Sequence, residues 1–522
     1  MAEKSKEKGK QNFLAGALTL ALAGIICRLL GIAFRIPLAN IVGNFGMGLY
    51  QMVFPVYALL LIVSSAGIPV AISKLIAKKE AGQNEKYTPT QILINAILLL
   101  GIIGFVLGSA LFVFANQVAS LQGNDGVGKI YMAIAPAIFF VCLISAFRGY
   151  FQGQSNMVPT AISQVTEQLV KVSVGMTLAL ILLKHSIVWA VFGAILAVTV
   201  SEVIALVVLI FIYLRHRTKR KKVRDEIPER LFRFSLMWLI LKKSFPITLL
   251  ASIFPLILVF DSMIVINMLR SGGATTQVAT QLYGISSGTV HTLINMPAIL
   301  GVAIGTAVVP MTAALVSKRN TEELKQKCAL AIKLIFFIAV FFAAFYVAFA
   351  REIIILLYER AFAGNSDQLV IATHLLKIES AVILLMGISQ VFTSILQGAG
   401  RSNFPLVALL IGGAAKIGFQ FALIGTIGIY AVSIGNVICF GIAFVLNTIF
   451  VAKFIGIKPR ISPRVWRALL LLGIYGGVLV ALVLFVPGGK FWVLGSGFVS
   501  FGLYVFFIWM LGIFKTKKRL RV

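Results

Sequence analysis

The sequence predicts an all-α integral membrane protein: fourteen transmembrane helices, arranged as two six-helix lobes in a parallel pseudo-two-fold repeat followed by two C-terminal helices. Three observations lead there. Of 522 residues, 59% are hydrophobic and 12% charged, against roughly 45–50% and about 25% in soluble domains. Lysine and arginine collect in every second connection between the apolar runs. A segment beginning near Phe151 recurs 245 residues later.

Apolar stretches long enough to cross a bilayer run at 14–37, 50–76, 91–115, 131–152, 160–183 and 187–214. A second set of six runs at 244–269, 283–316, 328–350, 371–397, 404–425 and 428–453, and two more follow at 466–487 and 491–514. The implied organisation is a cytoplasmic tail at 1–13, an N-lobe at 14–214, a basic linker at 215–243, a C-lobe at 244–453, the last helices within 454–514 and a basic tail at 515–522.

The charges test that count. One side carries the N-terminal lysines, Lys74, Lys78, Lys79, Lys86, Arg148, the run from Arg215 to Lys243, Lys318, Arg319, Lys325, Lys327, Arg401, Lys453 to Arg467 and the tail KTKKRLR. The other side carries Lys129, Lys184, Arg270, Arg351, Arg360 and Lys490. Positive charge is retained in the cytoplasm, so both termini are expected there, in a bacterial plasma membrane. The linker has two readings, a docking surface for anionic membrane lipids or a purely topogenic segment.

The net charge of +30 does not signal a nucleic-acid partner, because the basic residues lie between spans rather than on a soluble face. Cys27, Cys142, Cys328 and Cys439 have no pairing or metal spacing and read as small core residues. The charged N-terminus leads into an apolar segment without a small-residue cleavage site, so a removable signal peptide is not expected. There is no Walker-type phosphate loop, no HExxH and no GxSxG. Enzyme chemistry and a cofactor are therefore not expected, a coupling ion aside.

The repeat pairs FQGQSNMVPTAISQVTEQLVKV with LQGAGRSNFPLVALLIGGAAKI, so that Gln152-Gly153 matches Gln397-Gly398 and Lys171 matches Lys416, each 245 residues apart. Pro159 and Pro405 are offset by 246, which calls for a one-residue slip in the turn. A weaker echo relates SAGIPVAISKLIAKK at 65–79 to TAVVPMTAALVSKR at 306–319. Both pairs keep their orientation, so the repeats are parallel, and a transporter with its site between the halves is the expectation. Pro55, Pro69, Pro255, Pro297 and Pro310 lie inside spans, where they permit bending.

Ionisable groups at bilayer depth cost at least about 3 kcal/mol on insertion scales, and so normally face a cavity or a partner. They are Arg28, Arg35, Glu167, Lys171, Glu202, Asp261, Lys377, Glu379 and Lys416. Arg28 and Arg35 share a helix face and suit a diphosphate. The alternative is that Arg35 snorkels outward and Arg28 pairs with Glu202 or Asp261. Glu167 and Lys171 are spaced for an ion pair along one helix, whereas Lys416 has Gly412 in that place and reads as a cavity residue. Asp261 and Glu202 either bind a coupling cation or proton or neutralise the arginines. His291 reads as a polar core residue or a proton relay.

The run RGYFQGQSNMVPTAISQVTEQLVKV, together with GLYQMVFPVY at 48–57 and GIPVAISKLIAKK at 67–79, resembles the polysaccharide-transporter branch of the multidrug/oligosaccharidyl-lipid/polysaccharide exporter superfamily. Within it the likeness is to the sporulation-protein and lipid II flippase group of Gram-positive bacteria. The resemblance implies alternating access and movement of an undecaprenyl-diphosphate-linked saccharide from the inner to the outer leaflet, with possible cell-wall synthesis enzymes as partners. Cys27-Arg28-Leu29-Leu30-Gly31 is similar to the family's Ser-Arg-x-x-Gly. The family's second arginine falls at Phe34 here, one residue before Arg35, and Leu49-Tyr50 stands where Gram-negative members carry an acid. The last two helices resemble those that line a lipid-tail groove.

The reading is thus a flippase with Arg28, Arg35, Lys416 and Lys171 on the substrate and Asp261, Glu202 and Glu167 coupling or balancing charge. The competing readings are a cation-coupled multidrug exporter and a non-transporting scaffold for wall synthesis.

Overall fold

The computed structural model describes residues 2–65, 67–80, 87–220, 232–456, 465–485 and 490–511. The basic linker lies partly, and the C-terminal tail wholly, outside them. Among the described residues every regular element is helical. In order these are α1 (Ala2–Ser65), α2 (Ile68–Glu80), α3 (Pro89–Val113), α4 (Ala115–Leu121), α5 (Gly128–Gly153), α6 (Val158–Leu182), α7 (Ile187–Arg220) and α8 (Phe234–Ser271). There follow α9 (Thr276–Tyr283), α10 (His291–Ser317), α11 (Thr321–Ala348), α12 (Ala350–Phe362), α13 (Ser366–Gly398), α14 (Asn403–Ile427), α15 (Tyr430–Ile455), α16 (Val465–Phe485) and α17 (Lys490–Met510). A 3₁₀ turn covers Asp125–Val127 and a π-helical segment covers Gly284–Val290.

Twelve helical runs among the described residues are long and apolar enough to cross a membrane, and the protein is a multi-span membrane protein. One run, Thr19–Lys79, takes in both of the first two expected spans. A straight helix of the length of α1 would extend ~96 Å, three times a bilayer core. It does not run straight. Gly43 takes φ 66° inside α1, in the left-handed region open to glycine, so one residue replaces the connection that the hydropathy pattern implies. Short helices α4 and α12 lie in expected connections, the span expected at 50–76 is split between α1 and α2, and α1 and α8 begin about ten residues before their apolar runs, while α3, α6, α14 and α15 keep close to the expected bounds. The expected span at 466–487 corresponds to α16, Val465–Phe485.

Local chemistry accounts for several ends. Thr88 caps α3 with a reciprocal box, its Oγ1 accepting from the Gln91 amide at 3.2 Å and its own amide donating to Gln91 Oε1 at 3.0 Å, with Pro89 in the first turn. Asn320 caps α11 through the Glu323 amide at 3.2 Å, and acidic Glu322 and Glu323 occupy the positive end of that helix.

The chain forms two compact units, one of 1–288 with 420–429 and one of 289–419 with 430–522. In the first, the core is built from Leu38, Met47, Leu49, Met52, Ile72, Leu75, Tyr131 and Phe151, all essentially inaccessible. Glycine allows close crossings there: a Cβ on Gly48 would overlap the Thr280 carbonyl, and one on Gly284 the Asn44 carbonyl. In the second, Val308, Leu324, Cys328, Ile335, Val391, Ile395 and Val451 pack α10, α11, α13 and α15 together. Helices α16 and α17 are held to α11 by Phe341, which lies 5.5 Å from Tyr475, 5.2 Å from Phe501 and 5.5 Å from Tyr504, with the Tyr504 hydroxyl donating to the Phe337 carbonyl at 3.0 Å. The cysteines are free thiols, three of them buried.

Candidate functional site

The two copies of the repeat make the same turn. In the first, the amides of Gln154, Ser155 and Asn156 donate to the carbonyls of Tyr150, Gln152 and Phe151. In the second, those of Ala399, Gly400 and Arg401 donate to Ile395, Gln397 and Leu396, every donor and acceptor 245 residues on. Both are helix C-terminal turns through a left-handed residue, Ser155 at φ 58° and Gly400 at φ 76°. Helices α5 and α13 end, and α6 and α14 begin, at the same offset of 245. The expected slip in the turn is therefore absent. Ser155-Asn156 and Ser402-Asn403 match only in letters, and Pro405 enters its helix one residue later than Pro159.

The shared Gln-Gly has a packing cause. A Cβ on Gly153 would lie 2.7 Å from Ile76 Cβ on α2, and one on Gly398 would lie 2.6 Å from the Val309 carbonyl oxygen on α10. Each glycine lets the helix that ends there cross its neighbour.

Charge separates the copies. In the first unit, Arg148 Nη2 bonds Glu167 Oε2 at 3.1 Å, Arg148 Nε donates to Ser163 Oγ at 3.0 Å and Gln168 Nε2 donates to Glu167 Oε1 at 3.3 Å. The expected pair along α6 does not form, because the arginine fork reaches acid and hydroxyl together and holds Glu167 away from Lys171. Arg148, counted by sequence among the connection charges, lies inside α5 with its side chain 17% exposed. Nothing short of the tertiary pairing marks it as different from an interface arginine.

Around that pair stand four other polar groups of the first unit. The Tyr57 hydroxyl on α1 donates to Glu202 Oε1 on α7 at 3.3 Å, and Glu202 Oε2 is buried without a hydrogen-bond partner. Lys171 is half-buried on α6, close enough for its charge to act on Glu167, Arg35, Glu202 and the Cys27 thiol. Arg35 lies 5.9 Å from the centroid of the Phe54 ring. Arg28, next to Cys27 on α1, has an exposed side chain. The structure thus brings Arg35, Lys171, Glu167 and Glu202 into one cluster and adds Arg148, Tyr57 and Ser163 to it. The other acid, Asp261 on α8, is buried beside Tyr283.

In the second unit Lys416 is buried at 5% exposure on α14. Gly412, where the first copy has Glu167, lies so close to α15 that a Cβ there would overlap the Cys439 carbonyl oxygen. The acid of this unit sits elsewhere: Glu379 on α13, 1% exposed, accepts from Ser433 Oγ at 2.8 Å and Asn436 Nδ2 at 2.9 Å on α15. Lys377 is exposed. No metal-binding group of His, Cys, Asp and Glu occurs among the described residues.

Residues 13–316 match the model of the polysaccharide biosynthesis protein family, and residues 252–422 match that of the MatE family. Stage V sporulation protein B of Bacillus subtilis (strain 168) is 28% identical over 87% of this chain and 86% of its own. The lipid II flippase MurJ of the same organism is 24% identical over 91% and 89%. Among solved structures, a lipid II flippase MurJ in an inward closed conformation aligns with a TM-score of 0.72 at 15% identity, over 94% of this chain and 98% of that one. An inward-facing multidrug resistance MATE family transporter of the MOP superfamily aligns at 0.65 and 18%, over 85% and 99%. The chain is a membrane transporter rather than an enzyme, and it belongs to the polysaccharide biosynthesis protein family, in the polysaccharide-transporter branch of the MOP superfamily.

Proposed function

We propose that the protein is a flippase that moves an undecaprenyl-diphosphate-linked saccharide, lipid II or a related wall precursor, from the inner to the outer leaflet of a bacterial plasma membrane. The observation that carries this reading is the cationic bias of the polar cluster, where Arg35, Lys171 and Arg148 stand against Glu167 and Glu202. A diphosphate is the ligand class that guanidinium forks and an ammonium recognise best. Arg28 and Arg35 would meet the diphosphate first, with Lys171 deeper; Lys416 is the cation at the matching place of the second copy. The topology that goes with this is fourteen spans in two six-helix lobes plus two, both termini cytoplasmic. Glu202, whose second oxygen is buried without a partner, and Asp261 are the carboxylates available to take up a coupling proton or cation.

The test is translocation in vesicles. Lipid II turnover by inserted protein should fall at least about tenfold in Arg28→Ala, the loss of one charge-assisted contact. Normal rates with Arg28→Ala properly inserted would remove the assignment. A second reading, a cation-coupled exporter of cationic compounds, draws on three buried acids, Glu202, Asp261 and Glu379. It predicts ion-dependent efflux of a lipophilic cation that Glu202→Gln abolishes and Arg28→Ala spares.

A further inference from the structure

The cluster holds an ion pair, Arg148 with Glu167, to which the flippase reading gives no role of its own. Glu167 and Lys171 sit one turn apart on α6, the spacing at which acid and base close on each other on an isolated helix. They do not, because Arg148 of α5 occupies the carboxylate through Nη2 at 3.1 Å while its Nε is anchored on Ser163 Oγ at 3.0 Å. Ser163 is itself fixed, its hydroxyl donating to the Thr160 carbonyl at 2.8 Å. The remaining oxygen of Glu167 accepts from Gln168. Glu202, the other acid near Lys171, takes its hydrogen bond from Tyr57. Both oxygens of Glu167 are thereby engaged by other donors and Glu202 is bonded at one oxygen by Tyr57, while Lys171 makes no ion pair among the described residues.

We infer that Arg148 is a positioning residue for the anion site: by capturing Glu167 it prevents the α6 ion pair and keeps the Lys171 ammonium available to an anionic ligand. This rests on the proposed diphosphate site for its purpose, but its geometry stands without it. The second copy fits the same logic. It has Thr393 at the position of Arg148 and Gly412 at that of Glu167, so Lys416 needs no such guard on its own helix: the acid is missing together with the arginine that would hold it.

The experiment reads Lys171 directly. Full-length protein in lipid nanodiscs is acylated briefly with acetic anhydride and the modification of Lys171 is quantified by mass spectrometry. Only the free amine reacts, and a contacting carboxylate holds the ammonium form, so pairing lowers the rate about tenfold. Arg148→Gln should lower Lys171 labelling by about that factor, and the double variant Arg148→Gln/Glu167→Gln should restore it. Glu167→Gln alone should leave it within about twofold of the wild type, since Arg148 rather than Lys171 loses its partner. Unchanged labelling in Arg148→Gln, or a several-fold rise in Glu167→Gln, overturns the inference. The second variant keeps the test decisive if Arg148→Gln does not fold. A merely structural ion pair would shift melting temperature without moving Lys171 reactivity in folded protein. Binding of farnesyl diphosphate forms a separate arm, where Arg148→Gln should match Lys171→Gln, with rescue by Glu167→Gln only in the former. If labelling behaves as described while Lys171→Gln leaves diphosphate binding intact, the charge partition stands and the diphosphate reading falls.

Discussion

The hairpin joining α5 to α6 and the one joining α13 to α14 have the same backbone and different chemistry. Their turns repeat hydrogen bond for hydrogen bond, and their terminal glycines serve the same crossing. Yet the first carries Arg148, Glu167 and Lys171 in one half-buried network, whereas in the second the buried Lys416 has a glycine one turn before it and the buried acid, Glu379, is bonded to α15. Packing preserved the frame because a helix crossing tolerates no added atom. Charge diverged because a polar side chain needs only a local partner. A duplicated scaffold therefore says where helices go and leaves open where a ligand binds.

The comparison breaks most severely if the missing acid is written back. Gly412→Glu should prevent folding or cost well over about 3 kcal/mol, since its Cβ overlaps the Cys439 carbonyl and its carboxylate enters a packed interface. Loss of the monodisperse peak in detergent would show this. The paired variants Gly153→Ala and Gly398→Ala should each cost about 1–3 kcal/mol in thermal melting. The effect should be larger at Gly398, whose Cβ meets the Val309 backbone, than at Gly153, where the nearest atom belongs to the Ile76 side chain. Equal tolerance of both alanines would mean that the crossings are looser than drawn.

Smaller effects separate the two lysines. Lys171→Gln should weaken prenyl diphosphate binding about tenfold and change the melting temperature little, because no ion pair among the described residues is lost. Lys416→Gln, at a fully buried position, should lower stability as well as binding. The smallest effect lies in the turn itself. Ser155→Gly should stabilise by about 0.5–1 kcal/mol and Gly400→Ser destabilise by about as much, as both residues hold left-handed φ and a Cβ at Gly400 meets nothing within 4 Å. A melting series of the two turn variants checks the opposite signs.

Much of this was legible beforehand. Helix after helix begins and ends near its apolar run, and the offset of 245 between Lys171 and Lys416 is the structural one. The stretch around Gly43 misled, since the gap between the first two apolar runs implied a connection where a kink at one residue keeps the helix going. The offset of 246 between Pro159 and Pro405 misled too, because hydrogen bonds and not letters set the register of a turn. Arg148 was out of reach for a different reason. An arginine near a span end satisfies the charge alternation whether it faces headgroups or an acid on the next helix, and only the approach of α5 to α6 distinguishes the two.

By itself the sequence determined that this is a multi-span helical membrane protein with an internal repeat, because hydropathy and glycine placement act through the chain's own periodicity. The tertiary structure alone decided which acid meets which base. Glu167 has a cation one turn along its own helix and another nineteen residues back in sequence, and it takes the second. Ion pairs go to the donor whose geometry satisfies the most lone pairs at once, and that is a property of neighbouring helices.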